Sequence, residues 1–489
     1  MMLRNQTFSG VRWTTFSSLG RALLQFAQIA ILARLLTPAD FGLIALVIAI
    51  MAFLQAFADA GISNAIIHYQ DITQEQLSSL YWLNVSVSST LALILVASSY
   101  WVAVLYQQPP IQYLLTLAAA TLVLGGLGQQ IRVVAQKNLR FADLAKVELI
   151  AALVGFIAAV TLAWMGAGVY ALIAGNLTTA AVGCSLVWGR LSLGWRPQAR
   201  LRLTEIRQFL KFGAYMVGNN LANTLISQID ILFGGRLLGV QSIGLYSVPK
   251  DLGLSIGKII NPIITQVGLP VMAKAQSDVA LLKRVYLQTM RMTASVNFPI
   301  YIALGMFAPE IVQLLLGQQW LDAIPLLQIF SIWAMLRSTG NSVGSLLMAR
   351  GRVDLSFKWV MVWLIIMPPA IWWGSQFGVL GMATAMALLG TLGYWPNWYF
   401  LVRPLCGANL GEYSVQMVVP LSLSIVGGVA GYFSVYLLEG SLLRLLTGLT
   451  VEGLVYLGLS WRFNRVWVDA MMELAGKTQK FKPDVGIGK

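Results

Sequence analysis

The chain is an almost unbroken succession of apolar stretches, each close to the ~20 residues that a helix needs to cross a bilayer core. In lipid every backbone polar group must be satisfied internally, so runs of this length can only be helices. Read in order there are about fourteen: 13–35, 40–62, 80–105, 111–132, 145–166, 168–189, 213–234, 242–268, 286–308, 322–346, 356–376, 378–402, 414–438 and 442–461. The expected fold class is an all-α membrane protein. The charged share agrees: 11%, against roughly 25% in a soluble domain.

The stretches repeat. Arg34-Leu35-Leu36-Thr37-Pro38-Ala39-Asp40-Phe41-Gly42-Leu43 aligns with Arg236-Leu237-Leu238-Gly239-Val240-Gln241-Ser242-Ile243-Gly244-Leu245, at an offset of 202 residues. Gly168-Val169 and Gly378-Val379 form a second matching pair, before the last span of each half. Six is even, so both copies enter from the same side and form parallel repeats. The expected domains are an amino-terminal lobe over 1–190, a linker over 191–212 and a second lobe over 213–405. Two further helices follow over 411–462, then a basic tail over 463–489. The linker mixes basic and apolar residues, and reads equally as a helix lying along the cytoplasmic interface or as a charged loop.

The net charge of +14 suggests nucleic acid until its distribution is considered. With alternating spans and a cytoplasmic amino terminus, the inner loops and tail hold most of the Lys and Arg; the outer loops hold only Arg34, Arg236 and Arg444. That is the positive-inside pattern of a multi-pass protein with both termini cytoplasmic. No nucleic-acid partner is expected. The start lacks a small-residue cleavage site, which reads as an uncleaved first helix. Cys184 and Cys406 read as membrane-packed thiols, far apart in sequence.

No catalytic constellation is visible. His68 is the single histidine, which leaves none for a membrane acyltransferase or a metal cluster. No Walker loop is present. A non-enzyme without cofactor or metal is expected. What the spans do carry is polarity at helical spacing. Thr14, Ser18, Arg21, Gln25 and Gln28 share one face of the first span. Asn220, Asn223, Ser227 and Asp230 share one face of the seventh, and the last three match Arg21, Gln25 and Gln28 under the same offset. The eighth span adds Lys250, Asp251, Lys258 and Asn261; the second adds Asp59; spans nine and ten add Arg291, Asn297, Arg337 and Asn341. A charge at a helix centre costs roughly 2.5–3.5 kcal/mol on insertion. These groups therefore face a wet cavity or pair across helices, and the sequence leaves both open. Cations lining a cavity suit an anionic headgroup, and a lipid-linked oligosaccharide supplies one.

The segments LARLLTPADFGLIAL, FADAGISNAIIH, QIDILFGGRLLGVQSIGLYSVPKDL and APEIVQLLLGQQWLDAIPLLQI resemble the Wzx-type oligosaccharide flippase branch of the superfamily that also holds multidrug exporters, in particular its colanic-acid-type exporters. The resemblance runs over residues 8–440. It implies two six-helix lobes in a V-shaped exporter fold plus two carboxyl-terminal helices. It also implies alternating-access flipping of undecaprenyl-diphosphate-linked repeat units, from the cytoplasmic to the periplasmic leaflet of the bacterial inner membrane. Surface polysaccharide synthesis would consume them, with a polymerase and glycosyltransferases of the same pathway as partners. Arg21, and less directly Lys250 and Lys258, would hold the diphosphate, with Gln25, Gln28, Asn223, Arg291 and Arg337 lining the cavity. Asp59, Asp230 and Asp251 would be candidates for ion coupling. The alternative is a cation-coupled multidrug exporter of the same superfamily. Such proteins more often carry an acid on the first helix, where this chain has Arg21, and typically stop at twelve spans.

Overall fold

The computed structural model describes residues 2–59, 62–69, 71–192 and 194–474; the tail beyond 474 lies outside them. The long helices are α1 (Met2–Leu35), α2 (Pro38–Ala58), α3 (Gln74–Tyr106), α4 (Pro110–Lys137), α5 (Phe141–Trp164), α6 (Tyr170–Leu186), α7 (Arg207–Lys274), α8 (Val279–Met306), α9 (Ile324–Ala349), α10 (Val353–Ser375), α11 (Gly378–Leu392), α12 (Leu410–Ser434) and α13 (Ser441–Phe463). The described residues contain no strand. Twelve of their helices are long and apolar enough to cross a membrane, or thirteen with α8 and the following Ala308–Leu316, bent at 74°, taken as one span. Fourteen becomes thirteen because the stretches 213–234 and 242–268 fall in the single run of α7, and twelve where α8 is not counted with the segment that follows it.

That run explains itself at one residue. Gly239 has φ 80° and ψ 171°, outside the helical region, a conformation that favours glycine. Gly239 is the repeat equivalent of Thr37, which stands in extended conformation between α1 and α2. Both copies thus turn at the same place by different chemistry. Thr37 caps α2 by accepting from the Asp40 amide, while Asp40 accepts from the Thr37 amide at 3.0 Å. Pro38 then occupies the first turn, where its missing N–H costs nothing. Gly168 and Gly378 also share a positive φ, 57° and 74°.

Close packing joins the repeats. A Cβ placed on Gly42 would overlap the Val240 carbonyl, and one on Gly244 would overlap the Pro38 carbonyl. Each would also stand 3.0 Å from the amide nitrogen of the other glycine. Pro38 and Val240 are themselves equivalent positions, so the contact is reciprocal. Small residues permit backbone approach of this kind where lipid offers no hydrophobic drive.

The described chain forms two compact units. One comprises the chain up to Val248 with Leu315–Asp322 and Phe357–Ala385; the other comprises Pro249–Leu314, Ala323–Ser356 and the chain from Met386. In the first, Ile62, Ile66, Leu80, Val133, Ile206 and Phe209 share a buried cluster. The linker approaches that cluster as an irregular strap, with no helix over 195–202. Trp82 Nε1 donates to the Gln198 carbonyl at 2.7 Å and Trp195 Nε1 to Gln74 Oε1 at 2.7 Å. Arg200 pairs with Glu75 at 2.8 Å and Glu205 at 2.6 Å, and the hydrogen bond to Glu205 raises its guanidinium above the usual value. In the second unit α8 packs against α9 and α12, and α12 packs along α13.

Candidate functional site: polar faces on apolar helices

In the first unit, Arg21 on α1 pairs with Glu148 on α5 through one contact, Nη1 to Oε2 at 3.2 Å, with side chains 44% and 28% exposed. Gln25 is exposed one turn further on, and Gln28 is half-buried. Asn223 on α7 is exposed, like its equivalent Arg21. The next equivalents diverge. Asp230 is buried, and its carboxylate accepts the Tyr246 hydroxyl at 2.7 Å and the Ile231 amide at 3.0 Å. Asp59 stands at the end of α2 rather than inside it, where its carboxylate accepts the Ser63 hydroxyl. Gln129 Nε2 donates to the same hydroxyl at 3.2 Å.

In the second unit, Lys250 is buried, whereas Asp251 and Lys258 are exposed. Asn297 Nδ2 donates to Asn261 Oδ1 at 2.9 Å, and Asn261 Nδ2 to the Ser338 carbonyl at 3.2 Å. Arg291 is engaged away from these: its Nε donates to Asn464 Oδ1 at 2.8 Å, and Asn464 Nδ2 to Ser295 Oγ at 2.8 Å. That chain ties the end of α13 to α8, a packing contact. Arg337 lies over the Trp333 ring, 5.2 Å from its centre, and this cation–π contact orients it.

Two acids outside the sequence-derived set stand out. Glu148 has no stripe around it on α5; only the fold brings it to Arg21. Glu452 on α13 is buried, and neither of its carboxylate oxygens has a hydrogen-bond partner among the described residues. Its Cβ lies against Gly431 and its Oε1 faces Gly428 of α12. A lone acid inside an apolar span is itself a signal, and Glu452 is the sole acid of the stretch 442–461. Two buried acceptors left unmade cost about 1–3 kcal/mol each. Glu452→Met is therefore expected to raise the melting midpoint of the purified protein. Loss of export by this more stable variant would mark Glu452 as a functional acid, and an unchanged or lower midpoint would refute the burial argument.

The fold and these faces define a class: a multi-pass helical membrane protein. The solved lipid II flippase MurJ, in an inward closed conformation, superposes with a TM-score of 0.77 over 93% of this chain and 99% of its own, at 11% identity. An inward-facing multidrug resistance MATE family transporter of the MOP superfamily superposes with a TM-score of 0.59 over 84% and 97%, at 15% identity. Both likenesses concern the fold. Residues 31–325 match the family described as polysaccharide biosynthesis protein. The lipopolysaccharide biosynthesis protein WzxC of Escherichia coli (strain K12) is 30% identical over 444 residues, 90% of each chain. The teichuronic acid biosynthesis protein TuaB of Bacillus subtilis (strain 168) is 28% identical over 431 residues, 88% of this chain and 89% of its own. The chain belongs to the polysaccharide biosynthesis protein family, as a Wzx-type member.

Proposed function

We propose that this exporter flips undecaprenyl-diphosphate-linked oligosaccharide repeat units from the cytoplasmic to the periplasmic leaflet of the inner membrane, by alternating access. One observation carries the reading: a half-exposed arginine, Arg21, on an apolar helix whose exposed polar neighbours are uncharged, Ser18 and Gln25. A diphosphate needs such a cation, and a glycan needs hydrogen-bonding side chains beside it. Each bare hydroxyl buried costs about 1–3 kcal/mol, so a repeat unit with many hydroxyls does not cross lipid unaided. MurJ, whose fold this chain shares, is a lipid II flippase by name, and lipid II is another lipid-linked sugar. Lys250, Lys258, Gln28 and Asn223 are proposed to contact the diphosphate or glycan, and Asp59, Asp230 and Asp251 to couple ion movement. The lobes 1–190 and 213–405 and the cytoplasmic termini belong to the same reading. The orientation rests on the basic residues of the inner loops.

The multidrug alternative lacks its usual acid: α1 has no Asp or Glu in its whole length. The test is removal of the protein from a strain that makes its polysaccharide. Short lipid-linked repeat units are expected to accumulate on the cytoplasmic leaflet and surface polymer to disappear. Unchanged polymer, together with sensitivity to cationic drugs, would replace this reading with the drug-exporter one.

A further inference from the structure

The pair that Arg21 makes is weak in form. A guanidinium can present two parallel N–H groups to a carboxylate or phosphate, yet here one nitrogen meets one oxygen at 3.2 Å. Arg21 and Glu148 have no other polar partner among the described residues. The pair is also not what holds α1 on α5. Gly20 sits so close to α5 that a Cβ there would stand 2.7 Å from Leu149 Cδ2, and the Lys146 ammonium lies over the Trp13 ring at 5.4 Å from its centre. Both contacts lie on the amino-terminal side of Arg21 and bracket Glu148 on α5, and they hold the register without the charge of Arg21. An acid that is not needed for packing, placed against the cation proposed to hold an anion, occupies the anion's position.

We propose that Glu148 is a built-in competitor for Arg21: it holds the guanidinium while the site is empty and yields it to a phosphate group of the substrate. The inference rests on the proposed lipid-linked diphosphate substrate. Half-exposed ion pairs are worth little, so exchange for a two-pronged phosphate contact is favourable. The same acid then helps to displace the phosphate at release, by recapturing Arg21. Glu148 is thus a positioning residue, acting through Arg21, and it disfavours ligands with less anionic charge than a diphosphate.

The test uses the full-length protein in nanodiscs with undecaprenyl diphosphate as the probe. Glu148→Gln is expected to bind roughly two- to fivefold tighter than wild type, the equivalent of one exposed ion pair. Glu148→Asp, whose carboxylate is drawn back from Arg21, is expected to fall between them. Combining Glu148→Gln with Arg21→Ala is expected to erase the gain. In cells Glu148→Gln is expected to export more slowly despite binding more tightly, a split that a purely structural contact does not produce. Unchanged or weaker binding by both Glu148 variants, with wild type binding normally, overturns the competitor role alone. Failure of both variants to fold likewise overturns it, since the pair would then be structural. Absence of binding by wild type overturns the substrate reading, and this inference with it.

Discussion

Gly42→Ala is expected to lower the stability of the purified protein by about 3 kcal/mol, the upper end for overpacking, and Gly244→Ala by a similar amount. At both positions the obstacle is a carbonyl of the facing copy, with its carbon 2.6 Å from the new Cβ. Backbone cannot rotate away as a side chain can, so the two turns must separate. The reciprocal geometry makes a sharper statement. One separation relieves both clashes, so the double variant is expected to cost much less than the sum of the singles. Gly125→Ala is the control: nothing lies within 4 Å of its Cβ, and helix propensity alone favours alanine by about 0.5–1 kcal/mol. Melting midpoints in detergent measure all four. A wild-type midpoint for Gly42→Ala, or full additivity in the double variant, would reject the contact.

Arg21→Ala is expected to abolish polymer export while the protein still reaches the membrane at near-normal levels. The two halves of that statement have different sources. The pair with Glu148 is half exposed, and such pairs contribute about 0–1 kcal/mol to stability. Hydrogen bonds to a charged group are worth about 1.5–3 kcal/mol each, so losing two from a bound diphosphate weakens it by roughly a hundredfold or more. Arg21→Lys keeps the charge without the fork and is expected to retain partial export. Immunodetection of the membrane fraction beside a surface-polymer assay separates the two effects. Normal export by Arg21→Ala removes this residue from the mechanism.

Much of this architecture is legible in the amino-acid order. Apolar stretches of helix length each fall on a helix, because burying backbone in lipid leaves no other choice. The repeat aligns the two connections, 36–39 with 235–241, and the structure turns within both, at Thr37 and Gly239, because turn chemistry is local. The first-helix face of Ser18, Arg21 and Gln25 follows from a 3.6-residue period. The amino-acid order leaves the linker at 195–202 open between helix and loop; the Trp82 indole and the Ser78 and Ser79 hydroxyls on α3 hold it as a strap. No spacing within 191–212 encodes partners that lie more than a hundred residues away.

The same limit applies to the polar residues. Arg291 reads like Arg21 in sequence, yet Asn464, 173 positions away, ties it to the end of α13. Asp230 matches Gln28 under the repeat, yet the Tyr246 hydroxyl meets it in the core. Glu148 gains its meaning only where α5 crosses α1, 127 residues from Arg21. Local order encodes what lipid and one helix turn impose: spans, turns and faces. Which charges meet is a property of helix packing, because ion pairs and orphaned carboxyls depend on distances that no linear spacing contains.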